Sequence, residues 1–256
     1  MKPNENTERL HDMTQLIKRM SAFLLCLMLL MGAFPATALA APDWPSGVSV
    51  QAESGIVIDA DTGTVLWGQN IHNQYFPASI TKIMTALIVI ETCSLDETVT
   101  FSHNAVFNVE AGSSNAGINE GDKLSVKDCL YALLLKSANE AANALAEHVA
   151  GSTEAFADMM NAKAKELGCT DTHFANPSGL NDPEHYTSTY DMALIARAAF
   201  LNPTFEEIDS TAYYKLPPNS INPEGLTIYP GHKMLKKSTP YYYPGIVGGK
   251  TGYTTL

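Results

Sequence analysis

The 256-residue chain has no C-x-x-C pair and no H-E-x-x-H, so the common dithiol and zinc signatures are missing. Its seven histidines are scattered along the sequence, and neither a metal nor a cofactor is expected. Cysteine is scarce: Cys26, Cys93, Cys129 and Cys169. Cys26 falls in an apolar N-terminal run, and the odd three beyond it exclude a disulfide scaffold. Cys129, inside an apolar helical run, reads as core. Basic residues are also few. With 16 Lys+Arg against 27 Asp+Glu the net charge is −11, which argues against nucleic acid as a partner. There is no internal repeat and no low-complexity tract. The longest apolar run, 20–34, is too short to cross a bilayer comfortably.

What is present reads as an exported globular chain. Hydrophobic residues make up 45% and charged ones 17%, enough apolar content for a core in one large domain or two modest ones. Lys18 and Arg19 precede the apolar run, and Ala38-Leu39-Ala40 follows it as an A-x-A cleavage signal. Residues 1–40 are therefore expected to be a signal peptide, and the mature protein to begin at Ala41 and work outside the cytoplasm. An uncleaved anchor or a buried helix is the competing reading. The leader before Lys18 is long, which leaves Met13 and Met20 as alternative starts.

Downstream, 54–58 and 64–68 flank an Asp-x-Gly turn and predict an antiparallel hairpin. Pro77 suits a helix entry, since its missing N–H costs nothing in the first turn. A helix from there to about Thr92 would carry Ser79 near its positive end and Lys82 one turn on, with Ile80, Ile83, Met84 and Leu87 on another face. Residues 108–123 are Gly-, Ser- and Asn-rich and predict a loop of the kind that lines clefts. Ser125 and Asp128 form a capping box that opens an apolar helix. It breaks near Lys136-Ser137-Ala138-Asn139, and helices over 140–150, 154–167 and 189–201 follow. Asn176-Pro177-Ser178-Gly179-Leu180 is turn chemistry. Residues 202–245 predict only short extended pieces, and 247–251 a strand with glycines on both sides.

Three short motifs carry chemistry. In Ser79-Ile80-Thr81-Lys82 a hydroxyl sits beside an amine that can take its proton only when neutral, against an ordinary lysine pKa of about 10.4. Burial and a nearby cation would both lower that value, and Lys250 can supply the cation. S-x-N occurs at Ser102, Ser113, Ser137 and Ser220; only Ser137, with Asn139, stands at a break between apolar helices. Lys250-Thr251-Gly252 occurs once and offers an ammonium, a hydroxyl and an open backbone to a carboxylate. Each motif alone is weak, but the order S-x-x-K, S-x-N, K-T-G is that of penicillin-recognising serine enzymes.

From about residue 50 onward the sequence resembles the low-molecular-mass penicillin-binding proteins that are serine-type D-alanyl-D-alanine carboxypeptidases. The resemblance extends through Leu134 to Ala142, His173 to Leu180, Tyr190 to Leu194 and Tyr242-Tyr243-Pro244-Gly245. It implies an α/β (α+β) fold of the β-lactamase/transpeptidase type: an antiparallel sheet flanked by helices, plus a helical subdomain. Residues 41–256 would form the catalytic domain. It implies cleavage of the terminal D-alanine from peptidoglycan stem pentapeptides through an acyl-enzyme, and acylation by β-lactam antibiotics. Ser79 would be the nucleophile, Lys82 its base and Ser137 a proton relay to the leaving amine. Asn139 would bind the substrate amide, Lys250 set the local field and Thr251 hold the terminal carboxylate. The N–H groups of Ser79 and Tyr253 would form the oxyanion hole, with Gly252 keeping the strand accessible. The rival readings are a serine β-lactamase, against which no E-x-x-L-N loop occurs in the sequence, and a non-catalytic wall-binding or β-lactam-sensing module. Relatives of this type continue past Lys-Thr-Gly with two strands and a helix, and many add a membrane-associating segment. The resemblance therefore implies a fragment with an incomplete sheet, in which 247–251 does not pair directly with 54–68.

Overall fold

A computed structural model describes residue 16, residues 18–21 and residues 50–255. The chain divides into two units, Met1–Gly47 and Val48–Leu256. Of the first, residues 16 and 18–21 are helical and exposed; the cleavage signal at Ala38-Leu39-Ala40 lies outside the described residues. No helix among the described residues is long and apolar enough to cross a membrane.

The second unit is built around one helix, Lys82–Thr92. Every residue from Lys82 to Val89 is buried, so this helix is enclosed on all sides and not only on the predicted apolar face. Its run of Ile, Met, Leu and Val explains why: a helix apolar all round has no face to give to water. Helices Val126–Leu135, Asn139–Ala150, Thr153–Glu166, Thr189–Phe200 and Pro203–Asp209 pack around it. Leu87, Leu130, Leu133, Leu145, Phe156, Ile195 and Phe205 are all fully enclosed in the resulting core.

Local signals set the ends of these helices. The Ser125 hydroxyl accepts from the Asp128 amide at 3.0 Å, and Asp128 accepts back from the Ser125 amide at 3.3 Å, which completes the expected capping box. Gly151 and Gly168, with φ of 82° and 86°, close the helices before them in the left-handed region. Helix Pro203–Asp209 falls where only extended pieces were predicted. Asn202 caps it and Pro203 opens it, but its seven residues are too few for a helical period to stand out.

Among the described residues the strands form four two-stranded antiparallel pairs in place of one continuous sheet. Gly55–Ile58 (β1) pairs with Val65–Gln69 (β2), the predicted hairpin. Its turn is drawn together by Asp59, whose carboxylate accepts from the Thr62 amide at 2.7 Å. Arg197 fastens it to helix Thr189–Phe200 by donating to the Ala60 and Asp61 carbonyls at 2.7 and 2.6 Å. Gln74–Tyr75 (β3) pairs with Thr187–Ser188 (β6), Thr98–Thr100 (β4) with Lys123–Ser125 (β5), and Tyr214–Leu216 (β7) with Leu226–Ile228 (β8). Residues 247–251 form no strand, contrary to the sequence expectation. Extended backbone becomes a strand only with a partner, and no ladder among the described residues reaches them, including any from the β1–β2 hairpin.

Candidate active site

The three motifs meet in one cleft. A short 3₁₀ turn, Ala78–Thr81, runs directly into helix Lys82–Thr92, with Pro77 at its start. Ala78 holds a φ of 49°, left-handed for a residue with a side chain, and so stores on the order of 1–3 kcal/mol of strain immediately before Ser79. The opposing turn fixes this geometry. Gly179, itself at φ 79°, lies so close to the Ala78 carbonyl that any Cβ would collide with it.

Lys82 is completely buried, and its Nζ reaches Ser79 Oγ at 3.1 Å, Asn139 Oδ1 at 2.7 Å and the Ser178 carbonyl at 2.5 Å. Burial, reinforced by the charge of Lys250, holds its pKa well below the ordinary lysine value; Glu140 opposes the shift. A neutral amine has two N–H donors and one lone pair. Asn139 and Ser178 can take only donors, so in the neutral form the remaining lone pair would face the Ser79 hydroxyl. Ser178 did not stand out in the sequence as a site residue. Its carbonyl is presented by the Asn-Pro-Ser-Gly-Leu turn, where Asn176 Oδ1 accepts from the Ser178 and Gly179 amides at 3.2 and 2.8 Å. Thr85 Oγ1 donates to the Pro177 carbonyl at 2.7 Å and pins that turn to helix Lys82–Thr92. The turn signal was legible; the use of its carbonyl depends on tertiary placement.

A buried histidine completes this wall. His185 accepts from the Ala175 amide through Nδ1 at 3.0 Å, which leaves Nε2–H to donate to Thr81 Oγ1 at 2.7 Å. Burial pushes its pKa down to about 4, so the ring is neutral at ordinary pH and serves as a brace.

Ser137 sits in the break between two helices at φ 61°. The Asn139 amide donates to the Ser114 carbonyl at 2.9 Å, and Glu140 accepts from the Ala116 amide at 2.6 Å. These bonds stitch the cleft-lining 110–118 loop to the start of helix Asn139–Ala150. Across the cleft, Lys250 Nζ donates to Ser137 Oγ at 3.0 Å and to the Thr251 carbonyl at 2.7 Å. Burial lowers the Lys250 pKa to about 8 against the opposing pull of Asp209.

Asp209 is the other group that sequence reasoning missed. It ends helix Pro203–Asp209, is buried, and accepts from the Gly249 amide at 2.6 Å. Gly248 is required beside it: a Cβ there would lie 2.6 Å from Asp209 Oδ2 and 2.7 Å from the Phe200 ring. Recognising Asn202-Pro203 as a cap followed by a first-turn proline would have revealed the helix that presents this carboxylate.

Ser79, Ser137, Asn139, Lys250, Thr251, Gly252 and Tyr253 all line a cavity of about 540 Å³, with Lys82 buried beneath Ser79. Gly252 lies over the Ala78–Thr81 turn, where a Cβ would be 3.1 Å from the Ser79 nitrogen. Its missing side chain thus allows close backbone approach to the Ser79 amide. Tyr253 is almost fully exposed at the rim, and Thr254 donates to Asn181 Oδ1.

Comparison with known proteins gives a consistent picture. The family model described as D-alanyl-D-alanine carboxypeptidase, peptidase S11, matches residues 37–256. A D-alanyl-D-alanine carboxypeptidase of Bacillus subtilis is 34% identical over 242 residues, covering 92% of this chain and 59% of the relative. One from Mycobacterium tuberculosis is 36% identical over 222 residues, covering 86% of this chain and 70% of its own. The chain thus spans little more than half the length of the Bacillus relative. Among solved structures, a D-alanyl-D-alanine carboxypeptidase from Mycobacterium tuberculosis superposes with a TM-score of 0.72 at 34% identity, covering 86% of this chain and 78% of that one. A Streptomyces DD-transpeptidase variant gives 0.74 at 29% identity, covering 82% and 83%.

Proposed function

We propose, from the premise that this chain belongs to the D-alanyl-D-alanine carboxypeptidase family of peptidase S11, that it removes the terminal D-alanine from peptidoglycan stem pentapeptides through an acyl-enzyme on Ser79. The observation that carries this reading is the position of Lys82: buried, with two of its three partners able only to accept, and Ser79 Oγ as the third. Neutral Lys82 takes the hydroxyl proton as Ser79 Oγ attacks the carbonyl carbon of the penultimate D-alanine. The oxyanion is held by the N–H groups of Ser79 and Tyr253, and the closeness of Gly252 to the Ser79 nitrogen supports that pairing. The C–N bond then breaks, and Ser137 passes a proton to the leaving amine. Thr251 and Lys250 hold the leaving carboxylate. Asn139 orients the substrate amide with its remaining N–H donors, since its oxygen is engaged by Lys82. Water hydrolyses the ester and restores Ser79.

The same reading makes β-lactams acylating inhibitors, because their strained amide and carboxylate copy the D-alanyl-D-alanine end. No E-x-x-L-N loop is present in the sequence to drive deacylation, so the penicilloyl ester is expected to persist for minutes. Residues 1–40 act as an export signal in this account, with 41–256 working on the cell wall as a transpeptidase-like catalytic domain.

The test is D-alanine release from a diacyl-L-lysyl-D-alanyl-D-alanine peptide by the full chain, alongside benzylpenicillin hydrolysis. Release of one D-alanine per peptide with penicillin bound for minutes supports the proposal. Penicillin turnover within seconds identifies a β-lactamase instead. Penicillin binding at a serine-independent site without peptide cleavage identifies a sensing module.

A further inference from the structure

Two helices that bring groups to the cleft at their N-terminal ends also meet at their other ends. Helix Lys82–Thr92 starts at the candidate base and ends at Cys93, its C-cap. Helix Asn139–Ala150 starts at the substrate-facing amide and carries His148 in its last turn. Between them stands Glu97, in the short connection to β4. The Cys93 sulfur, a Glu97 oxygen and a ring nitrogen of His148 all lie within 4.8 Å of one another. None of these residues belongs to the cleft, which lies about 16 Å away along helix Lys82–Thr92 at 1.5 Å per residue.

We infer that Cys93, Glu97 and His148 form a site for a divalent transition metal of zinc's character, which clasps the C-terminal ends of the two cleft helices. The donor set is a thiolate, an imidazole and a carboxylate, a combination that suits zinc or cobalt and not magnesium or calcium. With bond lengths of about 2.0–2.3 Å, a tetrahedral ion places its ligand atoms about 3.4–3.6 Å apart. His148 Nε2 and Glu97 Oε2 stand 3.0 Å apart and no pair of the three exceeds 4.8 Å, so the site closes around an ion with changes of about 1.3 Å or less in any pair. Three protein ligands leave the fourth position to water.

Two further features prepare the site. The Ser94 amide donates to the other Glu97 oxygen at 2.5 Å, which fixes the carboxylate and leaves Oε2 facing His148. The connection itself is anchored, since the Val126 and Lys127 amides donate to the Glu97 and Leu95 carbonyls, both at 2.9 Å. In addition, both helices point their C-terminal, partially negative ends at this spot, which favours a cation. Binding displaces the Cys93 proton to solvent and forms one metal–sulfur bond; no electron is transferred. The ion's role is to hold the two helices at the ends remote from the chemistry.

The experiment uses the full chain, tag-free and stripped with a chelator, titrated with Co²⁺ and then Zn²⁺. Expected are a thiolate-to-cobalt charge-transfer band in the near ultraviolet saturating at one equivalent, its displacement by Zn²⁺, and a Zn²⁺-dependent rise in the unfolding midpoint. Cys93→Ser should abolish the band, and His148→Ala and Glu97→Gln should each weaken binding at least tenfold. Chelation should leave the penicillin acylation rate of folded protein unchanged. If Cys93→Ser does not fold, the other two variants decide. The inference is overturned if no charge-transfer band develops, if these variants bind like the parent, or if chelation stops acylation while the fold remains intact.

Discussion

The two walls of the cleft are held in different ways, and their two lysines show it. Lys82 stands at the buried start of a core helix, and all three of its hydrogen bonds go to groups anchored in the helical core or in a turn pinned to it. Lys250 stands on backbone with no ladder, held by one bond to Ser137, one to its neighbour's carbonyl and the Gly249–Asp209 contact. Burial lowers the pKa of both lysines, but the neighbouring charges act in opposite directions. Burial takes the Lys82 pKa well down, while Lys250 settles at about 8, with the Asp209 charge resisting further descent. In the proposed reaction, the firmly held wall would carry the base and the wall fastened at a few points would carry the group that meets the peptide end.

Substitutions in the two walls should have different effects. Lys82→Ala should lower the second-order rate of penicillin acylation by about 10²–10⁴-fold, the usual range for loss of a positioned base, as measured by stopped-flow or quenched labelling. A loss of less than tenfold would remove Lys82 from that role. Leu87→Ala, beneath the same wall, should cost about 2–5 kcal/mol in denaturant unfolding, with acylation by the folded fraction unchanged. Asp209→Ala should show the opposite signature. Loss of a hydrogen bond to a charged acceptor, worth about 1.5–3 kcal/mol, loosens the Gly249–Lys250 backbone and lowers acylation about 10–100-fold while far-ultraviolet circular dichroism is retained. Should Leu87→Ala slow acylation as much as Asp209→Ala does, the two walls are one mechanical unit and the contrast fails.

The smallest effect is a displaced pH limb. Lys250 is charged below its pKa of about 8 and neutral above it, so the ammonium facing Ser137 is lost as pH rises. Acylation efficiency should therefore fall above about pH 8. Lys250→Arg keeps its charge at any pH the protein survives, so the falling limb should move upward by more than a pH unit, even though the rate at neutral pH drops. A limb that stays at 8 in the arginine variant would assign it to another group.

How much of this was legible in the sequence divides along the same line. The nucleophile wall is written locally: Ser79 and Lys82 at helical spacing, a capping box at Ser125 and Asp128, a helix break at Ser137 and turn residues at 176–180. Each feature depends on neighbours within a few positions, so pattern reading recovers it. The opposite wall is written in distant contacts. Asp209 meets Gly249 forty positions away, from a seven-residue helix too short to declare itself amid prolines and tyrosines. Residues 247–251 have strand-like composition, yet composition does not supply a partner strand. The Cys93–Glu97–His148 cluster escaped for the same reason: its histidine arrives from a different helix, and scattered positions in sequence say nothing of where helix ends converge.

In the proposed reaction Ser79, activated by Lys82, is the acylated residue. Its most direct measurement is intact-mass and peptide-level mass spectrometry of the full chain after brief exposure to benzylpenicillin. One penicilloyl group per chain is expected, on the peptide containing Ser79, and none on a folded Ser79→Ala variant. An adduct that persists in that variant, or that maps to Ser137 or another residue, would contradict it.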